Sequence, residues 1–232
     1  MKTEGRGLHI LTLNETVEGG TTMPSRPEET AAAAAPVLAL DIGNVCVQLD
    51  STECARRLGY SSLDELIGVM PVVRTYARSL ETGYLADAVF FSLLARTLPE
   101  AWSAAEVIPW WCSIIQAEIP GMAEVVDAAV ARGLKPAFFS DISVTHLAYT
   151  RGLLSFESRV PDAVCSFEVG ASKPDPRMYA AFEEQLCGGS TPALFVDDKP
   201  ENVQQAQKRG WPAVVFTSPE ALMEEVKNAG SR

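Results

Sequence analysis

Short, uninterrupted apolar runs recur along the chain and are bounded by polar or glycine-containing sequence. They cover Val37–Leu40, Pro136–Phe139, Ala163–Cys165, Ala193–Val196 and Ala213–Phe216. Continuous apolar runs of this length are typical of strands that are buried on both faces of a parallel sheet. The pattern therefore predicts a parallel sheet built from these strands.

Helical periodicity fills the connections in the second half of the chain. Apolar residues recur at helical spacing over 122–130, and Gly133 follows where a helix would end. The segment 202–209 runs into Gly210 in the same way. Strands that alternate with helices predict right-handed βαβ units. We therefore predict an α/β fold with a doubly wound, Rossmann-like parallel sheet.

One connection is far longer than a single crossover helix needs, because the second predicted strand begins only at residue 136. Residues 51–117 have helical patterns and no strong strand pattern. The helical runs are Cys54–Leu58, Leu63–Met70, Val72–Leu80 and Ala86–Leu98. We predict a helical cap, inserted after the first strand, that covers the carboxyl ends of the sheet. Such a cap excludes water and helps to select the substrate.

The first part of the chain differs from the rest. Residues 1–35 contain few large apolar residues and no sustained period, which predicts a flexible N-terminal tail without a catalytic role. The predicted organisation is thus a tail (1–35), an α/β core (36–50 and 118–232) and a helical cap (51–117).

Composition and charge limit the partners. Hydrophobic residues make up 47% of the 232 residues, and the formal net charge is −11. This acidity argues against nucleic acid and anionic membranes as partners, and no apolar run approaches the length of a membrane span. The five cysteines have no metal-type spacing, and only two histidines are present. We expect reduced thiols and a cytoplasmic protein.

Side chains suited to catalysis follow the predicted strands. They lie in four fragments, Asp41–Val45, Phe138–Asp141, Ser172–Asp175 and Phe195–Asp198. In this order the fragments supply a carboxylate, a hydroxyl, a lysine and a pair of adjacent carboxylates. An open α/β sheet gathers side chains from the carboxyl ends of its strands in one crevice. We therefore predict that the fragments form a single active site.

Each of these residue types also has a common structural role. An aspartate after a strand forms turns, a serine there caps a helix, and most lysines are solvated. The pair Asp197 and Asp198 is the most informative, because adjacent carboxylates at a strand end repel each other unless a cation binds them. Mg²⁺ takes such oxygen ligands together with waters and phosphate oxygens.

In the order and spacing of these motifs the chain resembles the haloacid-dehalogenase-like (HAD) hydrolase superfamily, in the branch with a helical cap between its first two motifs. The resemblance covers residues 36–217. It is strongest to phosphatases whose first motif reads Asp-x-Gly-Asn-Val, a group that includes sugar-phosphate phosphatases. The cap sequence Glu81–Gly83, followed by Phe90, is similar to a Glu-x-Gly stretch of that group.

The resemblance implies a role for each motif residue. Asp41 is the expected nucleophile, which attacks phosphorus and forms an aspartyl-phosphate. Ser140 is expected to hold a phosphoryl oxygen, and Lys173 to neutralise the nucleophile and the phosphoryl group. Both are expected to bind the substrate, together with Asp141.

The resemblance also implies a Mg²⁺ cofactor. Its expected ligands are Asp41, the carbonyl group of Gly43, Asp197 and Asp198, with Asn202 behind them orienting a ligand water. By position, Asp198 is expected to bind the metal directly, whereas Asp197 either binds it or supports the residues that do.

The first motif departs from many phosphatases of the superfamily, which carry an aspartate two residues after the nucleophile as general acid and base. This chain has Gly43 at that position. Removal of a general acid or base typically lowers a rate by about 10²–10⁴-fold. Either the substrate has a good leaving group, or another group or a water chain transfers the proton. Asn44 cannot do so near neutral pH, whereas Asp141 is a titratable candidate nearby.

These observations predict a Mg²⁺-dependent phosphatase that acts on a small phosphorylated metabolite, such as a sugar phosphate. The first alternative is a 2-haloacid dehalogenase, which would use the same Asp41 on carbon. Dehalogenases of the superfamily lack the metal and do not keep the carboxylate pair. The second alternative is a catalytically silent binding or regulatory protein, which Gly43 favours and the other motif residues disfavour.

The cap is expected to determine which substrate binds. Arg74 and Arg78 lie one turn apart, where they could approach an anionic or hydroxylated substrate or simply be solvated. The aromatic residues expected to line the pocket or to fill the cap core are Tyr76, Tyr84, Trp110 and Trp111. Because two adjacent tryptophans point in different directions on a helix, we expect one of Trp110 and Trp111 to be exposed.

Overall fold

A five-stranded parallel sheet forms the centre of the protein, in the computed structural model, which describes residues 35–98 and 102–229. The strands are β1 (Val37–Leu40), β2 (Val47–Leu49), β3 (Ile115–Glu118), β4 (Lys135–Ser140), β5 (Asp162–Cys165), β6 (Leu194–Asp197) and β7 (Ala213–Val215). The order in the sheet is β5-β4-β1-β6-β7, and every pair of neighbours is parallel. The predicted strands and the predicted fold class are confirmed.

Helices connect the strands. They are α1 (Thr52–Arg57), α2 (Leu63–Val69), α3 (Pro71–Glu81), α4 (Asp87–Ala95), α5 (Ala104–Cys112), α6 (Met122–Ala131), α7 (Val144–Leu153), α8 (Ser166–Val169), α9 (Pro176–Leu186), α10 (Pro200–Lys208) and α11 (Pro219–Ala229), and a 3-10 helix covers Glu157–Arg159. The helices predicted over 122–130 and 202–209 are α6 and α10. Within the described residues, no helix combines the length and the apolarity that crossing a bilayer requires.

The sheet is buried on both faces. Along β1, Leu38 and Leu40 pack in one hydrophobic cluster with residues of α6 and α11. Val37 and Ala39 pack in a second cluster with residues of α9 and α10. Successive side chains of a strand point to opposite faces, so a strand covered on both faces must be apolar throughout. This explains the uninterrupted apolar runs of the sequence.

Helices α1–α5 pack around a hydrophobic cluster of their own, which contains Phe90. The four predicted helical runs correspond to α1–α4. Helix α5, on which Trp110 and Trp111 lie, is outside these four runs, and Pro109 lies inside it although proline usually ends a helix. A reciprocal capping box between Ser103 and Glu106 stabilises its first turn.

Both tryptophans of α5 are buried, so the expectation that one of them is exposed is wrong. Trp110 is 2% exposed and Trp111 is 6% exposed. Trp110 Nε1 donates to the carbonyl oxygen of Cys54 at 2.9 Å. The Trp111 ring stacks on the His146 ring of α7, with centroids 5.8 Å apart. The cap core therefore covers one side of α5 and the α/β core covers another.

An antiparallel ribbon joins the two parts of the chain. It pairs β2 with β3, and Val47 lies opposite Glu118. Strand β3 begins inside the range predicted as cap, where no strong strand pattern was found. The division at residues 50 and 117 stays a prediction, and the predicted tail, except for Ala35, lies outside the described residues.

Candidate active site

Three central strands end at the same edge of the sheet and deliver the motif residues there. Asp41 follows β1, Ser140 is the last residue of β4, and Asp197 is the last residue of β6. Strand β1 lies between β4 and β6. Because the strands are parallel, their carboxyl ends meet at one edge. Lys173 reaches the same place from the loop between α8 and α9.

Three oxygen atoms surround the ammonium group of Lys173. Its Nζ lies 2.9 Å from Asp41 Oδ1 and 2.6 Å from Asp197 Oδ2, and it donates to the carbonyl oxygen of Phe139 at 2.7 Å. The side chain is 1% exposed. Burial disfavours the ammonium ion, but Asp41 and Asp197 outweigh this effect and raise the pKa of Lys173. The lysine is thus a fixed positive charge beside the expected nucleophile.

Asp141 fixes the backbone of the lysine. Its Oδ1 accepts a hydrogen bond from the Lys173 backbone N–H at 2.9 Å. Burial raises the pKa of Asp141, and the positive charge of Lys173 opposes this shift. The contact shows a positioning role for this carboxyl group, and its expected part in substrate binding stays a prediction.

Three carboxylates come together next to the lysine. Asp41, Asp197 and Asp198 each offer an oxygen atom within 4.8 Å of the others. Asp198 Oδ2 accepts a hydrogen bond from Asn44 Nδ2 at 3.0 Å, whereas Asp198 Oδ1 is buried and has no hydrogen-bond partner among the described residues. A buried carboxylate oxygen needs a partner, so this atom is suited to bind a cation.

Asp197 differs from its neighbour because both its oxygens have partners. Oδ1 accepts from the Lys199 backbone N–H and from Asn202 Nδ2, both at 2.9 Å. Oδ2 accepts from Lys173 Nζ at 2.6 Å and from Asn202 Nδ2 at 3.1 Å. Asp197 is therefore suited to holding the lysine and Asp198 to holding a metal. Asn202, expected to orient a ligand water, contacts Asp197 through its amide nitrogen.

Two cavities meet at this edge of the sheet. We call the smaller one, about 80 Å³ in volume, the polar cleft. It is lined by the predicted residues Asp41, Gly43, Ser140, Asp141, Lys173, Asp198 and Asn202, together with Asn44, Leu49 and Lys199. Of the predicted site residues, Asp197 alone does not line it. The structure therefore brings the predicted set together around one small space.

We call the larger cavity, about 260 Å³ in volume, the apolar chamber. Aliphatic residues of the cap and of the core form most of its wall, among them Leu63, Ile67, Val73, Val47, Ile115 and Ile142. The chamber shares Gly43, Leu49, Ser140 and Asp141 with the polar cleft. The two cavities are thus neighbours.

Several lining residues were not predicted as site residues. The chamber is lined by Glu81, whose pKa is raised by burial and by the charge of Asp141, and by His146, whose pKa is lowered by burial. Glu81 lies in the Glu-x-Gly stretch, which was the available signal for it. Asn44 has φ 54°, a conformation that asparagine tolerates better than most residues.

The cap residues considered for substrate binding lie apart from these cavities, with one exception. Trp111 lines the apolar chamber. Arg74 and Arg78 are exposed on α3. Tyr84 is 74% exposed and donates to the carbonyl oxygen of Gly170 at 3.2 Å, outside both cavities.

Solved structures with the same fold come from the HAD superfamily. A HAD family enzyme from Bacteroides thetaiotaomicron has a TM-score of 0.68 at 18% identity, covering 80% of this chain and 95% of that chain. The same enzyme in complex with magnesium and inorganic phosphate has a TM-score of 0.66 at 17% identity, covering 80% of this chain and 96% of that chain.

An L-2-haloacid dehalogenase from Xanthobacter autotrophicus with chloropropionic acid covalently bound is also similar. It has a TM-score of 0.56 at 22% identity, covering 84% of this chain and 83% of that chain. No family model matches the chain, and no curated protein matches it significantly. At these identities the likeness shows the fold, so the chain has the HAD fold.

Proposed function

We propose that the protein is a Mg²⁺-dependent HAD-like phosphatase that hydrolyses a small phosphorylated metabolite through an aspartyl-phosphate. The observation that carries this proposal is that the two adjacent carboxylates have different bonding partners. Asp197 neutralises Lys173, whereas Asp198 has a buried oxygen without a protein partner among the described residues. This arrangement suits a nucleophile, a fixed cation and a metal ligand in one cleft.

Asp41 performs the first step in this mechanism. Its carboxylate oxygen forms a bond to phosphorus while the bond from phosphorus to the ester oxygen breaks, and the electron pair leaves with that oxygen, which then takes a proton. Water attacks phosphorus in the second step and releases inorganic phosphate and the free carboxylate. The sum is hydrolysis of one ester by one water, divided into two easier displacements.

Lys173 and Ser140 stabilise the charge that moves during both steps. Lys173 Nζ lies 2.9 Å from Asp41 Oδ1, so the same cation faces the nucleophile and the phosphoryl group that binds to it. Ser140 is 2% exposed and lines the polar cleft, where its hydroxyl group can donate to a phosphoryl oxygen. Fixed donors of this kind need little reorganisation during the reaction.

Asp41, Asp198 and the Gly43 carbonyl group are the proposed ligands of the magnesium ion. A bound Mg²⁺ would supply positive charge to the phosphoryl oxygens. Among the relatives in fold, the Bacteroides thetaiotaomicron enzyme in complex with magnesium and inorganic phosphate supports magnesium as the cofactor. The dehalogenase with covalently bound chloropropionic acid is the reason to test dehalogenation of a 2-haloacid as well.

Phosphate release from a panel of phosphate monoesters tests the proposal. We expect turnover with Mg²⁺, loss of turnover with EDTA, and loss of turnover in Asp41→Asn, whereas the exposed control Asp64→Asn keeps its activity. Chloride release from 2-chloropropionate in the presence of EDTA would show a dehalogenase instead. Binding of phosphate esters by calorimetry without any turnover would show a silent binding protein.

A further inference from the structure

Two hydrogen-bonding groups at the wall of the apolar chamber lack partners among the described residues. Trp111 and Thr150 both line the chamber, and the two residues are 6% and 0% exposed. Trp111 Nε1 and Thr150 Oγ1 are buried and form no hydrogen bond within the described part of the chain. Buried polar groups in proteins are almost always paired, so two unpaired groups at one cavity call for an explanation.

The indole group of Trp111 differs from two others in this chain. Trp110 Nε1 donates to the carbonyl oxygen of Cys54 at 2.9 Å, and Trp211 Nε1 donates to Glu183 Oε1 at 2.7 Å. Because the indole nitrogen of a tryptophan can only donate, Trp111 needs an acceptor atom, which the described residues do not supply. A ligand in the chamber that carries an acceptor atom would meet this need.

The hydroxyl group of Thr150 differs in the same way from other hydroxyl groups in or next to helices. A serine or threonine there often donates to the carbonyl oxygen four residues earlier. Ser92 Oγ does so with Ala88, and Thr82 Oγ1 does so with Arg78, each at 2.7 Å. Thr150 lies within α7 and does not form this bond. Its hydroxyl group is thus available to a group in the chamber.

His146 brings Trp111 and Thr150 together. Its ring stacks on the Trp111 ring, with the centroids 5.8 Å apart and the planes at 8°. Thr150 lies one turn after His146 on α7, so these two residues are neighbours on the helix surface. Burial lowers the pKa of His146, and its Nε2 faces the carbonyl oxygen of Trp111 at 3.4 Å. A neutral ring that donates through Nε2 leaves Nδ1 as an acceptor.

The charges around the chamber favour a neutral polar group. None of the described residues that line it is a lysine or an arginine, whereas Asp141 and Glu81 are acidic. Lys173 and Lys199 line the polar cleft instead. A second anionic group of a substrate would be buried beside negative charge without a cation. A hydroxyl group needs no counterion and can both donate and accept. Glu81 lies on a different element, α3, where it can accept from a further hydroxyl group.

The leaving group of a substrate has the chamber beside it. The chamber shares Ser140 and Asp141 with the polar cleft, and the leaving group is esterified to the phosphorus atom that Asp41 attacks in the cleft. A cavity of about 150 Å³ binds benzene, and the chamber has about 260 Å³. A six-membered ring therefore fits into it.

We propose that Trp111 and Thr150 form a hydroxyl subsite, which binds one neutral hydroxyl group of the leaving group. Trp111 Nε1 donates to this hydroxyl group, and Thr150 Oγ1 is its second partner. The proposal rests on the proposed phosphatase function and narrows the substrate to a phosphate monoester of a diol or polyol. It adds two substrate-binding residues outside the motif fragments, one on α5 and one on α7.

Esters that differ by a single hydroxyl group test the hydroxyl subsite. Cyclohexyl phosphate is compared with the positional isomers of cyclohexanediol monophosphate, which carry the hydroxyl group at different distances from the phosphate. We expect at least one isomer to exceed cyclohexyl phosphate in kcat/KM by about tenfold or more, because cyclohexyl phosphate leaves both buried groups unpaired.

Thr150→Val and Trp111→Phe each remove one of the two hydrogen-bonding groups and keep an apolar side chain. We expect each variant to lower the ratio of kcat/KM for the preferred isomer to that for cyclohexyl phosphate by about fivefold or more. Thr145→Val is the matched control, because Thr145 lies on α7 outside the chamber wall, and it should leave this ratio unchanged.

The melting temperature of Thr150→Val without substrate separates binding from a structural role. Because no described residue pairs with the hydroxyl group of Thr150, we expect this variant to melt no lower than the parent protein. If it melts lower and its kcat/KM ratio is unchanged, the hydroxyl group has a structural role and the proposal is overturned.

The outcomes distinguish the hydroxyl subsite from the proposed phosphatase function. A kcat/KM for cyclohexyl phosphate equal to or above that for every isomer would overturn the subsite and leave the phosphatase intact. The same holds if the preference for an isomer survives in Thr150→Val or in Trp111→Phe. No phosphate release from any ester, including 4-nitrophenyl phosphate, would overturn both proposals.

Discussion

Lys173 and Asp197 form an ion pair that is closed to water. Nζ and Oδ2 are 2.6 Å apart, and the two side chains are 1% and 0% exposed. Asp41 shares the same ammonium group at 2.9 Å. A buried charge of this kind is tolerated only when its partners are in place. The cluster therefore couples the stability of the core to the site of the expected chemistry.

Removal of the lysine should damage both stability and activity. Lys173→Met leaves Asp41 and Asp197 as buried carboxylates without their cation, and we expect a loss of about 3–5 kcal/mol in the free energy of unfolding. Turnover should be abolished. Urea denaturation and phosphate release measure the two effects.

The double variant Lys173→Met with Asp197→Asn separates these effects. Because it removes one uncompensated charge, it should recover part of the stability and none of the activity. Lys208→Met on the exposed side of α10 is the control and should match the parent protein. A Lys173→Met variant as stable as the parent would contradict the proposed coupling.

Asp198 and Asp197 should respond differently to magnesium. Asp198→Asn removes the carboxylate charge at the proposed metal ligand, so we expect Mg²⁺ to raise the melting temperature of the parent protein and not of this variant. The magnesium concentration for half-maximal activity should rise about tenfold or more. Asp64→Asn is the matched control on the surface. If Mg²⁺ stabilises Asp198→Asn as much as the parent, Asp198 is not a ligand.

A carboxyl group introduced at position 43 should restore proton transfer to the leaving oxygen. Gly43→Asp alone meets Leu49 Cδ1, so the double variant Gly43→Asp with Leu49→Ala makes room for it. We expect kcat/KM for cyclohexyl phosphate to rise by up to about 100-fold relative to that for 4-nitrophenyl phosphate, since only the basic leaving group needs the proton. Leu49→Ala alone is the control, and an equal effect on both esters would contradict the reasoning.

The sequence was sufficient to predict the sheet, and also that the four motif fragments meet at one edge of it, because strands and the residues that follow them are visible in local patterns. An apolar run such as Val37–Leu40 is long enough to indicate a buried strand, and Asp41 follows it directly. The positions of the motif residues in space then follow from parallel topology.

Contacts between distant segments could not be predicted in the same way. Strand β2 has three residues, of which Val47 alone is buried, and its partner Glu118 is far along the chain. Trp111 is buried by α7, which no pattern near Trp111 reveals. The hydrogen bonds of Asp198 with Asn44 and of Asp197 with Asn202 join residues that become neighbours only through folding.

The ionisation of Glu81, which lines the apolar chamber, affects the stability of the protein. Burial, followed by the negative charge of Asp141, raises its pKa, whereas the positive charges of Lys199 and Arg78 oppose the shift. A carboxyl group with a raised pKa binds its proton more tightly in the folded state than in the unfolded state. The ionised group therefore destabilises the fold at high pH, and the loss is recovered as the pH falls through the folded pKa towards the unfolded value of about 4.3.

Glu81→Gln should accordingly stabilise the protein at pH 8, and the gain should shrink as the pH is lowered towards about 4. Chemical denaturation at a series of pH values measures the difference in the free energy of unfolding between the variant and the parent. Glu65→Gln is a control of opposite sign, because hydrogen bonds from Ser61 lower the pKa of Glu65. Its carboxylate stabilises the fold above the unfolded pKa, so its removal should destabilise the protein at pH 8. A Glu81→Gln variant less stable than the parent at pH 8 would show that the ionised carboxylate has a stabilising partner in the chamber.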